Sequence, residues 1–176
     1  MPKKLFVAVV AASFIITGCS AEEETSEATG PAAAEAEAAS PAAEEFASII
    51  AEGRRDVDDW LETWDENGCS PMGVANGTDI MACELSLISG SLIAETKRLE
   101  LDSATNENSL VYLGDPPVSI AVIWQSTEDA ATAASEAGEA IPEDCSTSDD
   151  CVSKVMDFEM AMEDLQGKYD AWAPYM

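Results

Sequence analysis

Apolar residues over most of this chain return at steps of three and four, the period of a helix packed along one side. Phe46, Ile49, Ile50, Gly53, Val57, Trp60, Leu61 and Trp64 fall on one such stripe. Ser40 stands before it as an N-cap and Pro41 as a first helical residue, while Asp56, Asp58, Asp59 and Glu62 supply a wet side. The pattern predicts an amphipathic first helix. A turn-rich stretch runs from Asn67 to Asn76-Gly77, after which Thr78 can cap a second helix. That helix carries two apolar stripes, one of Met81, Leu85, Ile88, Leu92 and Leu99, the other of Cys83, Leu87, Gly90, Ala94 and Leu101. So wide an apolar face predicts a more buried helix than the first.

The last segment has the most regular spacing. Val155, Phe158, Met162, Leu165, Tyr169 and Trp172 step along a bundle seam, with Ser148 as cap and Pro174 as stop. Residues 109–124 admit two readings. Leu110 to Leu113, Gly114-Asp115 and Val118 to Trp124 suit a β-hairpin, rich as they are in Val and Ile around a turn. Ile120, Ile123, Trp124, Thr127, Ala131, Ala134, Gly138 and Ile141 keep helical spacing after Asp115-Pro116. Helix is favoured, which gives four helices of about 25 residues, or about 37 Å each. The expected fold is an all-α, up-down four-helix bundle, with an α+β domain carrying a hairpin near 109–124 as the alternative.

Charge narrows the chemistry. The 176 residues include 35 acidic and 8 basic side chains and no histidine, for a net charge of −27. A nucleic-acid partner would need clustered Lys and Arg to neutralise phosphate, and adhesion to anionic lipid would need a basic patch. Without His there is no Ser-His-Asp or Cys-His catalysis, no imidazole-held haem and no zinc site with a His ligand.

The N-terminus reads as an address. Lys3 and Lys4 precede an apolar run from Leu5 to Thr17, too short to span a hydrocarbon core of about 30 Å. The run ends in Ile16-Thr17-Gly18-Cys19, which resembles the lipobox of bacterial lipoproteins. The resemblance covers residues 1–19 and implies a signal peptide over 1–18, cleavage before Cys19, and diacylglycerol on the Cys19 sulfur with an acylated new N-terminus. It places the chain on the extracytoplasmic face of the cell membrane or, because Ser20 follows the Cys, on the outer membrane of a diderm host. Several acyl chains make a stable anchor, where a single one attaches reversibly. Loss of Lys3 and Lys4 would leave 6 bases against 35 acids, net −29.

Residues 20–40 hold Ala, Glu, Ser, Thr, Gly and Pro, with no aromatic residue and no Val, Ile, Leu or Met. Such a segment cannot bury enough apolar surface to offset ordering entropy, so 19–40 reads as a lipidated Cys and a tether that reaches at most about 70 Å. Residues 41–176 suffice for one helical domain.

Beyond Cys19 an even set of cysteines remains, Cys69, Cys83, Cys145 and Cys151, which in an exported domain reads as two disulfides. Their spacing lacks the close pairs of a four-Cys metal site. In an up-down bundle all four cluster at one end, so three connectivities are open; proximity in sequence favours Cys69 with Cys83 and Cys145 with Cys151.

The remaining candidates have plain readings beside their sharper ones. Met156, Met160 and Met162 could offer thioethers to Cu(I), but gap-filling packing is the ordinary use of Met in a bundle. Acidic pairs at Glu143-Asp144 and Asp149-Asp150 suit solvated loop and helix-dipole roles before a calcium site. Trp60, Trp64, Trp124 and Trp172 lie on core stripes. No metal, cofactor or catalytic set is assigned, and no enzyme is expected. The loop from Cys69 to Thr78 is uncharged between Glu66 and Asp79, which makes Pro71, Met72 and Val74 a candidate interaction tip; the other reading folds Met72 and Val74 down as a lid on the bundle. The expected function is a membrane-anchored extracytoplasmic lipoprotein that binds an envelope protein or has a structural role. The alternative is a carrier of a small ligand or metal ion between its helices.

Overall fold

The computed structural model describes residues 41–76, 80–143, 145 and 148–176. Residues 1–40, on which the signal segment, the lipidated Cys19, the tether and the Ser40 cap are expected, lie outside them, as does the cap expected at Thr78. The described residues form helices α1 (Pro41–Glu66), α2 (Pro71–Ala75), α3 (Ile80–Thr105), α4 (Ala121–Glu139) and α5 (Cys151–Asp170), with a closing 3-10 turn at Ala173–Tyr175. No strand occurs among them. The architecture is an all-α bundle with two disulfides, Cys69–Cys83 and Cys145–Cys151.

The four long helices form a closed ring of neighbours: α1 packs on α3 and α5, and α4 on α3 and α5. Side-chain pairs fix their directions. Trp60 meets Ser86 while Asp56 meets Lys97, so α1 and α3 run antiparallel. Trp64 reaches Glu159 while Arg54 reaches Asp170, so α1 and α5 do as well. Glu128 meets Thr105 near the start of α4, while Gly138 abuts Ser91 near its end.

The seam residues behave as their spacing requires. Val155, Phe158, Met162, Leu165, Tyr169 and Trp172 are all buried, as are Phe46, Ile50, Val57, Trp60 and Trp64. Aromatic rings fill the interior: Phe46 meets Trp124 edge-on at 4.7 Å, Trp124 meets Trp172 at 6.1 Å, and Trp60 contacts both Trp64 and Phe158. Three of the four indole N–H groups have partners, and that of Trp124 is buried without a hydrogen bond. Trp172 Nε1 donates to Thr127 Oγ1 at 3.0 Å and Trp64 Nε1 to Glu159 Oε1 at 2.9 Å.

Several expectations need correction. The hairpin alternative fails: residues 106–119 run as turns and irregular backbone, and the second expected strand gives way to a turn and, from Ala121, to α4. Gly114, at φ +101°, makes a turn there, and α4 starts only after Ile120. The helices are therefore unequal, 26 residues in α1 and α3 against 19 and 20 in α4 and α5. The uncharged loop contains a short helix, α2, capped by Ser70, whose Oγ accepts from the Gly73 N–H at 3.1 Å. Asp150, not Ser148, stands at the N-cap of α5, and the Ser148 hydroxyl donates to its carboxylate. The largest correction concerns α3, whose first apolar stripe lies on the surface.

Candidate functional site

On α3 the two stripes part company. Cys83, Leu87, Gly90, Ala94 and Leu101 face the bundle. Met81, Leu85, Ile88, Leu92 and Leu99 remain 73, 60, 58, 60 and 45% exposed. Isolated exposed aliphatics are ordinary on any protein; a row of five along one helix is not, because contiguous apolar patches mark interaction surfaces. Exposed neighbours on this face are mostly small or uncharged, Ala82, Ser89 and Thr96, with Glu84 and Glu95 as its acids.

The row is held rigid from behind. The Trp60 indole fits against Gly90 and donates to the Ser86 carbonyl at 2.7 Å, which locks the middle of α3 onto α1. Nearer the C-terminal end, the Lys97 side chain is only 4% exposed and bridges Asp56 at 2.7 Å and Glu100 at 2.9 Å. Burial disfavours its charge, but the hydrogen bonds to Asp56 and Glu100 outweigh that, and its pKa stands above the usual lysine value.

Beside the row, where α3 passes the end of α4, a groove of about 450 Å³ opens. Val74, Leu87, Ile88, Leu92, Ile141 and Pro142 line it, with Cys145 at its edge. The two disulfides frame this end: one ties the α1–α2 connection to α3, the other ties the α4–α5 loop to the start of α5.

The residues of the expected tip separate. Val74 is fully buried beneath α2, Met72 points to solvent and Pro71 is half-buried. Val74 thus behaves as a lid residue, and Met72 remains exposed at the same end as the groove. Cys19 and Asp144 lie outside the described residues. Met162 is core, whereas Met156 and Met160 are exposed on α5. Among the described residues no group of three or more Cys, Asp or Glu side chains is placed to hold a metal ion. All four Trp side chains are buried.

Burial perturbs two further titratable groups, Glu128 and Tyr169. Burial raises the Glu128 carboxyl above its usual range, with Trp124 and Thr105 beside it pulling the other way. Burial also lifts the Tyr169 phenol well above its ordinary value, aided by the negative charges of Glu100 and Asp56. Glu128 Oε1 accepts from the Thr105 hydroxyl at 3.4 Å, and the Tyr169 ring lies against Gly53. No described helix is long and apolar enough to cross a membrane. No protein-family profile matches the chain, nor does a curated protein or a solved structure.

The α3 row is the feature that sequence reasoning misplaced. Its two stripes are offset by two residues, about 200° around a helix. They could not both have faced one core.

Proposed function

We propose that this chain is a lipid-anchored module of the bacterial cell envelope, displayed on the extracytoplasmic side, that works by binding through the exposed face of α3. The observation that carries the reading is the row Met81, Leu85, Ile88, Leu92 and Leu99, solvent-facing beside an apolar groove. The lipobox-like Ile16-Thr17-Gly18-Cys19 and the polar 20–40 segment support anchoring, and the disulfides agree with an oxidising compartment. The acidic surface argues for a protein partner over nucleic acid or anionic lipid.

The carrier alternative draws on the groove, whose volume falls within the range of small-ligand sites. The aromatic packing between the helices leaves the carrier reading less support in the bundle interior.

Two substitutions test the two halves separately. Cys19→Ala should move the domain from the membrane fraction to the soluble fraction, or leave unprocessed precursor; normal processing with full membrane retention contradicts the anchor. Ile88→Glu should leave anchoring and fold unchanged and abolish crosslinking of the face in intact cells. Unchanged crosslinking contradicts the binding face.

A further inference from the structure

The exposed row on α3 has an internal symmetry that selects its occupant. Met81, Leu85, Ile88, Leu92, Glu95 and Leu99 step 4, 3, 4, 3, 4, the spacing of the two core positions of a coiled-coil seam. Position 90 is the midpoint of Met81 and Leu99, of Leu85 and Glu95, and of Ile88 and Leu92. Each pair joins one kind of core position to the other, which is how core layers form when two such helices run antiparallel. We infer that α3 pairs with α3 of a second copy of this chain, antiparallel about a two-fold axis at Gly90.

Charge supports the same register. Glu84 and Arg98 occupy equivalent flanking positions of the repeat and have 91 as their midpoint, so an antiparallel pair brings Glu84 of each copy beside Arg98 of the other, twice per dimer. Glu84 is exposed and Arg98 half-exposed, and among the described residues Arg98 has no ion pair within its own chain. A parallel pair would instead set Glu95 against Glu95 and leave Glu84 and Arg98 facing Ser89 and Ser103. Like carboxylates in a core layer repel, and one polar position in a seam fixes register.

The area suffices for a closed dimer. At their observed exposures the five aliphatic side chains offer roughly 100 Å² each, or roughly 1,000 Å² over two copies before the flanks are added, which reaches the lower bound for a specific interface. The contact is isologous and therefore closes at two copies. Gly90 and Lys97 point into their own bundle, so the face is supported without being consumed.

The inference rests on the reading of the α3 face as a binding surface, and not on the anchor. Sedimentation equilibrium of the full chain in a density-matched non-ionic detergent should give twice the monomer mass. Ile88→Glu and Leu92→Glu should each give monomer that keeps the wild-type helical content and cooperative unfolding, with a melting temperature that no longer depends on protein concentration. Glu84→Arg and Arg98→Glu should each weaken the dimer roughly tenfold, and the double exchange should restore it. A monomeric wild-type chain overturns the dimer, as does a dimer that Ile88→Glu leaves intact. A dimer broken by Ile88→Glu but not restored by the double exchange overturns the antiparallel register. Crosslinks from Ile88 in cells to a protein of another mass, with a monomeric purified chain, would sink the second copy as occupant while the binding-face reading stands.

Discussion

The Trp60 indole occupies the space where a Cβ on Gly90 would stand, with Cε2 and Nε1 both 2.5 Å from that position. The missing side chain lets the ring reach the helix backbone and give its N–H to the Ser86 carbonyl. A bulky residue on α1 thereby selects a glycine in the middle of α3, where glycine otherwise weakens a helix. Gly90→Ala should destabilise the domain by about 1–3 kcal/mol through overpacking, despite the better helix propensity of Ala. Thermal unfolding followed by circular dichroism checks this; an unchanged or raised midpoint would show that the indole can move aside.

The alkaline limb of stability should depend on Lys97 and Tyr169. Both have folded-state pKa values raised above their unfolded ones. Their contributions are therefore fully present below about pH 10, near the unfolded values, and are lost as pH rises through the folded ones. Urea unfolding between neutral pH and pH 11 should show a falling midpoint, with a shallower fall in Tyr169→Phe. An identical slope in the variant would remove Tyr169 from the explanation.

Removing the disulfides one at a time should cost unequally. The Cys69–Cys83 bridge closes a separation of 14 residues and Cys145–Cys151 one of 6, so loop-closure entropy assigns about 3 and about 2 kcal/mol. Paired Ser variants compared by calorimetry give the order. A larger loss from the shorter loop would mean that packing around Cys151, not chain entropy, dominates.

How far the sequence reveals the fold depends on whether a segment has one partner surface or two. The α5 seam was legible because Val155, Phe158, Met162, Leu165, Tyr169 and Trp172 fall on one line and meet the core, while Met156 and Met160 lie off that line and are exposed. The local disulfide pairing was favoured by proximity, and the geometry agrees with it. The wet face of α1 was legible only in part, since Asp56 turns toward Lys97 and Asp58 accepts from Gln166 on α5. Residues 109–124 were ambiguous because β-branched content and helical spacing disagreed; the chain keeps the helical spacing only from Ala121 and runs as turns and irregular backbone before it. The α3 face was misread because hydrophobicity says that a surface seeks cover without saying whether the cover lies in the same molecule. The Trp60–Gly90 contact left no signal in a single sequence.

Stability measurements also separate the two stripes of α3. Leu85→Lys and Leu92→Lys should change the stability of the isolated monomer by no more than about 0.5 kcal/mol, as for other surface positions. Leu87→Ala and Leu101→Ala, on the buried stripe, should cost about 2–5 kcal/mol. Equal losses from both stripes would mean that the first is covered within the chain.

The α3 row, proposed as a contact surface, can be probed in place. The direct measurement places a photo-crosslinking amino acid at Ile88 of the full chain in intact cells, with the exposed Glu62 and Glu163 as control positions. Position 88 should give a discrete crosslinked species that is lost when Leu92→Glu is added, and the controls should give none. Absence of any adduct at position 88, or adducts of equal yield at all three positions, would contradict the proposed surface.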